Sequence, residues 1–184
     1  KKVLIIGGGN TAMDCCRTSL RLGADNVKVM YRGTRDRMKS SDWELEPALE
    51  ENVELVLNHS PDEYVVENGK LVGMRFSVLD WFKDEKGKLV SKTIDDVVIP
   101  CDTVILAIGQ ENSFPWVERD IGLEFDQWEV PIVDPVTYQS TIKGLFFGGD
   151  AAFGPKNIIE AVEHGHQAAI SIHKYCENQV LTDR

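Results

Sequence analysis

Long apolar runs are missing from this chain. Nowhere do 18 apolar residues follow one another, so no segment reads as a membrane-spanning helix. Basic charge is scarce: 20 Lys and Arg stand against 30 Asp and Glu, giving a net charge of −10 and a pI near 4.9. That balance argues against nucleic acid or an anionic membrane as a partner. Cysteine is sparse too. Cys15, Cys16, Cys101 and Cys176 form no C-x-x-C and show no metal-ligand spacing, so no metal site is expected. Adjacent helical cysteines are poor disulfide partners, and all four are expected to stay reduced in a cytoplasmic protein. The opening residues read as a strand rather than a signal peptide. Neither Tyr31 nor the four histidines compose a general acid–base pair, so no catalytic side chain is expected. With 184 residues, 42% of them apolar, the chain can bury one good core or two small domains.

What is present is concentrated at the start. Val3-Leu4-Ile5-Ile6 is a short apolar run, followed at once by Gly7-Gly8-Gly9-Asn10-Thr11-Ala12. A helical segment from Asn10 to Leu22 comes next, with Ala12, Cys15, Cys16, Leu20 and Leu22 at helical spacing and Gly23 as its stop. Asn10 or Thr11 is the expected cap, and Asp14, Arg17 and Arg21 the expected surface charge ladder. Val27 to Tyr31 forms a second strand. Strand, G-x-G-x-x-A turn, helix, strand is the dinucleotide fingerprint in its required context. Gly7 permits the tight turn, Gly9 lets the backbone approach a pyrophosphate, and Ala12 lets the helix pack closely on the strand. The helix start then offers unpaired N–H groups to phosphate.

The end of the second strand bears on which dinucleotide binds. An NAD site usually places Asp or Glu there to hold the ribose 2′-hydroxyl. This chain has Tyr31-Arg32 instead, and residues 32–39 hold Arg32, Arg35, Arg37 and Lys39 against one acid, Asp36. Such a cluster suits a 2′-phosphate, which Arg grips bidentately. Arg32 is the first candidate, with Arg35 and Arg37 behind it, and NADP(H) is the cofactor expected. The alternative is a solvated loop that happens to be rich in Arg.

Further elements follow. Asp42 to about Glu51 reads as a short acidic-started helix, and Val53 to Leu57 as a third strand with His59 a structural residue at its end. Tyr64-Val65-Val66 and Leu71 to Val78 flank Asn68-Gly69, a strong hairpin signal. A turn at Glu85-Lys86-Gly87-Lys88 and a strand from Lys92 to Ile99 complete an antiparallel meander, expected to shield the lower edge of the main sheet. Asp102 to Ala107 is expected to return as a buried parallel strand ending at Ile108-Gly109.

A second signature lies in the final third. Gly144 to Phe147 reads as an apolar strand running into Gly148-Gly149-Asp150, with a helix from about Asn157 to Cys176 beyond. An Asp on such a turn can bind ribityl or ribose hydroxyls. The helix start at Asn157-Ile158-Ile159 can stabilise negative charge on a reduced flavin. The alternative is a plain strand-to-helix turn. Ala161, Val162, Gly165, Ala168, Ala169 and Ile172 are the expected packed face, Gly165 permitting close approach, with Glu160, Glu163, His164 and His166 at the surface or rim.

Together, Val3 to Asp14, Val29-Met30-Tyr31-Arg32, Ala107-Ile108-Gly109 and Phe147-Gly148-Gly149-Asp150 resemble the glutamate synthase small (beta) subunit family, flavoproteins with two dinucleotide-binding domains. The likeness implies an α/β fold: a Rossmann-like, three-layer NADPH-binding domain over residues 1–109, with parallel sheet and meander. Residues 110–184 would be a linker and the C-terminal strand and helix of a split FAD domain. It further implies hydride transfer from NADPH to FAD, with electrons leaving to an iron–sulfur or large partner subunit. Gly7, Gly8, Gly9, Asn10, Thr11 and Ala12 would form the pyrophosphate turn, and Arg32 with Arg37 would take the 2′-phosphate. Gly109 would lie at the nucleotide site, while Gly149, Asp150, Asn157 and Ile158 would meet FAD. Gly33 departs from the family pattern, in which a second Arg often follows the first. The chain has one G-x-G-x-x-A and no cysteine-rich cluster segment, so it is expected to be a piece of a longer polypeptide with an incomplete FAD site. Alone it is expected to bind NADPH, hold FAD poorly and transfer no electrons. A thioredoxin-reductase-like enzyme would need C-x-x-C. A non-catalytic NADP(H)-binding or docking module is the competing reading.

Overall fold

A short apolar run buried on both faces suits the middle of a parallel sheet. In the computed structural model, which describes residues 1–182, Val3 to Ile6 hold that position. β1 (Lys2–Ile6) pairs in parallel with β2 (Asn26–Met30) on one flank and β7 (Thr103–Leu106) on the other. β3 (Glu54–Val56) joins β2, giving the order β3-β2-β1-β7. Side chains alternate along each strand, so the sheet has two different faces. Val3, Ile5, Val27 and Val29 pack on α1 (Asn10–Arg21) and α2 (Asp42–Glu50), burying Ala12, Met13, Cys16, Leu45 and Ala48. Leu4, Ile6 and Met30 point the other way, onto Met74 and Phe76.

Met74 and Phe76 belong to an antiparallel sheet of β4 (His59–Glu67), β5 (Lys70–Lys83) and β6 (Leu89–Pro100). Asn68 and Gly69 both take positive φ, 49° and 74°, as a two-residue type I′ hairpin requires. The meander therefore covers a face of the parallel sheet, not its lower edge. The cause is the alternation that sends Met74 and Phe76 together onto Leu4 and Ile6. Helices, parallel sheet and antiparallel sheet make the three-layer, Rossmann-like α/β arrangement. β7 is not a buried strand: it is an edge strand, with Leu106 57% exposed.

Contacts divide the chain into two units, Lys1–Gly109 and a second beginning at Gln110. The second has little regular sheet. Its cluster is Val117, Leu123 and Phe147, with isolated bridges such as Gln139 to Phe146. No strand forms over Gly144 to Phe147 beyond that bridge. Gly144 sits at φ +85°, against the Tyr175 hydroxyl, so the backbone turns where a strand would begin. α3 (Asp150–Phe153) and α4 (Ile158–Cys176) follow. The apolar face expected on α4 is largely open: Val162 is 51% exposed, Ala169 and Ile172 are exposed, and nothing approaches a Cβ built on Gly165. α4 packs instead through the stripe carrying Ala161, His164, Ser171 and Tyr175.

Candidate functional site

One group of candidate residues gathers at the carboxyl ends of β1 and β2, where open α/β sheets bind ligands. Gly7 takes φ +144°, and a Cβ there would stand 2.2 Å from the Ala107 carbonyl oxygen at the end of β7. A Cβ on Gly8 would meet the Tyr31 ring at 2.6 Å. Gly9 is the opposite case, with nothing within 4 Å of its missing Cβ. The turn is thus closed behind and open in front, the shape that lets a phosphate reach backbone amides. Ala12 is fully buried against the strand.

Neither Asn10 nor Thr11 caps α1. Its N-cap is Gly9, which has no capping side chain, and the Asn10 Oδ1 instead accepts from Ser41 N at 3.0 Å. The reason lies in the basic loop. Lys39 N and Ser40 N both donate to the Gly8 carbonyl, at 2.9 and 3.0 Å, so the loop after β2 is laced to the glycine turn. The buried Ser40 hydroxyl finds no partner among the described residues.

Within the loop the basic side chains divide. Arg35 Nη2 donates to Asp42 Oδ1 at 2.8 Å and is already engaged. Arg32 and Arg37 are exposed and have no carboxylate partner among the described residues. The Thr34 side chain, bonded to Asp36, holds that carboxyl below its ordinary value, so the loop's one acid stays ionised. The Tyr31 hydroxyl donates to the Arg37 carbonyl at 2.7 Å, and Trp81 Nε1 donates to the Arg32 carbonyl at 3.2 Å. Gly33 is buried beside Tyr31, whose ring would stand 2.9 Å from a Cβ there, so the loop has no room for a larger residue at 33. Gly109, at φ +110°, lies three residues past β7 in open space.

The charge ladder expected on α1 is a tertiary ion pair. Arg17 Nε and Arg21 Nη2 both donate to Glu51 Oε1, at 2.9 and 2.8 Å, beyond the end of α2. All four cysteines are free, and burial pushes the Cys16 thiol up to about 11, which keeps it protonated and inert.

The other candidates sit together in the second unit. Gly149, at φ +59°, starts α3, and its N–H donates to His164 Nδ1 at 3.1 Å. His164 is therefore not a rim residue. Its ring packs on Phe153 and Tyr138, with centroids 4.4 and 5.5 Å away, and fixes the Gly149 turn. Asp150 is exposed, and its Oδ1 accepts from Lys156 N at 3.2 Å. The Asn157 side chain caps α4 by accepting from Glu160 N at 2.9 Å, while Ile158, at 82%, and Ile159 are highly exposed. The cap serves the Glu160 amide, and those of Ile158 and Ile159 before it have no intrahelical acceptor. A cavity of about 650 Å³ lies in this unit, lined by Gln110, Asn112, Trp128 and Phe153 among others. At the glycine turn the open space lies in front of Gly9 alone.

Of two residues with structural roles here, Trp81 goes unnoticed in the sequence and His164 is read there as a surface or rim residue. Trp81 lies in what reads there only as a meander, and its one signal is an aromatic near the end of a strand in a polar hairpin. His164 reads as one polar residue among several on a helix.

The pyridine nucleotide-disulphide oxidoreductase profile matches residues 1–166. The chain belongs to that family. Among relatives, the NADP(+)-dependent formate dehydrogenase subunit beta of Moorella thermoacetica is 35% identical over 178 residues, covering 95% of this chain and 25% of the relative. The glutamate synthase (NADPH) small chain of Halomonas elongata is 34% identical over 187 residues, covering 96% of this chain and 39% of the relative. A solved thioredoxin reductase of T. acidophilum superposes with a TM-score of 0.76 at 21% identity, over 97% of this chain and 53% of that one, a likeness of fold. This family member thus spans well under half the length of these curated relatives. Among its described residues, no helix is long and apolar enough to cross a membrane.

Proposed function

We propose that residues 1–109 bind NADP(H), and that the chain works as the nucleotide-binding part of a cytoplasmic, NADPH-dependent flavoprotein oxidoreductase. The observation that carries this reading is the lacing of an Arg-bearing loop to the glycine turn through Gly8 and Asn10. A pyrophosphate would lie over Gly9, Asn10 and Thr11, and a 2′-phosphate against Arg32 and Arg37. The residues fit the group: the front of Gly9 is open, and both arginines are exposed. Relatives named for NADP(+) or NADPH support the same choice.

In the second unit, the positive-φ Gly149 turn, exposed Asp150 and the amides of Ile158 and Ile159 at the start of α4 suit an FAD ribityl chain and flavin edge. Bound together, the two cofactors supply hydride transfer to flavin, with electrons passing on to an iron–sulfur or large partner subunit. The side chains then bind, orient and exclude water, and none acts as acid or base. The longer polypeptide or partner completes the FAD site, and the 184-residue chain alone transfers no electrons.

Calorimetric titration with NADPH and NADH tests the reading. Wild type is expected to bind NADPH at least tenfold more tightly, about 1.4 kcal/mol, with Arg32→Ala removing the difference. Equal affinity for the two nucleotides in wild type contradicts it.

A further inference from the structure

The antiparallel sheet does more than cover a face of the parallel one. β5 outruns β4: Leu79 to Lys83 pair only with β6, Trp81 lying opposite Ser91, so this part of the meander is a two-stranded arm. The arm is fastened to the basic loop through Asn58, which takes a positive φ of 61°. Asn58 N donates to the Gly33 carbonyl at 3.1 Å, and the Asn58 carbonyl accepts from Leu79 N at 2.7 Å. Two residues further along, Trp81 reaches the loop itself. Its indole N–H donates to the Arg32 carbonyl, and its ring lies under the Arg37 guanidinium, 4.2 Å from the ring centroid.

One side chain thus touches both arginines assigned to the 2′-phosphate, one through its backbone and one through its side chain. A guanidinium stacked on an aromatic face keeps its N–H donors in the plane, at the edge, available to an anion. Stacking also removes rotamer freedom that an exposed Arg would otherwise lose on binding. We propose that Trp81 is a positioning residue for dinucleotide selectivity: it holds Arg32 and Arg37 in the pose that receives a 2′-phosphate, so the meander arm sets the preference for the phosphorylated cofactor. The proposal rests on the NADP(H) reading above. Trp81 touches arginines, not the pyrophosphate turn, so it is expected to act on the 2′-phosphate alone.

The test is calorimetric titration of the intact protein and its Trp81→Leu variant with NADPH, NADH, 2′,5′-ADP and 5′-ADP. Trp81→Leu is expected to weaken NADPH and 2′,5′-ADP roughly five- to twentyfold, leaving NADH and 5′-ADP within about twofold. Trp81→Phe, which keeps an aromatic face and loses the donor to Arg32, is expected to recover most of the loss and guards against misfolding of the Leu variant. Adding Trp81→Leu to Arg37→Ala should weaken NADPH by less than it does in wild type, because part of the effect passes through Arg37. A loss shared equally by all four ligands would mean a general structural role and overturn the proposal. So would an unchanged NADPH preference in Trp81→Leu while Arg32→Ala abolishes it, which leaves the NADP(H) reading standing. A wild-type protein with no preference for NADPH would remove that reading, and this inference with it.

Discussion

Two glycine turns feed two helices in this chain, and their surroundings differ. Gly7 and Gly8 are pressed against Ala107 and Tyr31, and the helix they open, α1, buries Ala12, Met13 and Cys16 in a layered core. Gly149 and Gly154 bracket the four residues of α3, and α4 beyond them fully buries only Ser171 among its described residues, while Ile158 and Ile159 stand open. The first turn is held by packing. The second is held by a few polar and ring contacts: His164 on the Gly149 amide, Asn112 Nδ2 on the Asp150 carbonyl at 3.1 Å, and Lys156 N on the Asp150 carboxylate. Similar motifs can therefore rest on different supports, and the kind of support decides how each responds to mutation.

The contrast is sharpest in the core. Ile5→Ala is expected to cost about 2–5 kcal/mol, and Ile159→Ala on α4 under about 0.5 kcal/mol, read by urea unfolding of each variant. Comparable losses would break the distinction. Glycines should behave in the same way. Gly7→Ala forces a Cβ onto the Ala107 carbonyl at positive φ and is expected to cost at least about 1–3 kcal/mol and to weaken nucleotide binding. Gly165→Ala, inside an exposed helix with open space around it, is expected to stabilise by about 0.5–1 kcal/mol.

Thiols give a pH-dependent version. Burial raises the folded Cys16 value from 9.0 to about 11, so its contribution to stability is intact below pH 9 and lost as pH rises through about 11. Cys16→Ala should flatten that alkaline arm, and alkylation should reach exposed Cys176 long before Cys16. The smallest effect lies at acid pH. Arg17 bonded to Glu51 holds that carboxyl below its ordinary 4.5, so the stabilisation is present above that value and fades as pH falls through the folded one. A Glu51→Gln variant should show a slightly shallower acid arm in the same unfolding series.

Much of the first unit was legible in the sequence because its signals are local. The glycine spacing, the strand alternation and Asn68-Gly69 each specify backbone geometry within a few residues. Long-range pairings were not legible: Asn10 spent on Ser41, Arg17 and Arg21 meeting Glu51, and Trp81 reaching across the meander to the basic loop. Each joins residues 30 or more apart, and no periodicity encodes that. The second unit was harder for another reason. Periodicity on α4 identifies an apolar face but not what covers it, and the Gly144 to Phe147 run looked like a strand because φ +85° at Gly144 leaves no mark in composition. Gly149-Asp150 and a helix start near Asn157 were visible; the His164 bond that fixes the turn was not.

The most direct measurement is a crystal structure of the protein with NADP+ bound. The account predicts the pyrophosphate over Gly9 to Thr11 and the 2′-phosphate within hydrogen-bond reach of Arg32 and Arg37, with Arg37 still stacked on Trp81. A 2′-phosphate pointing away from both arginines, or a nucleotide seated away from the glycine turn, would contradict it.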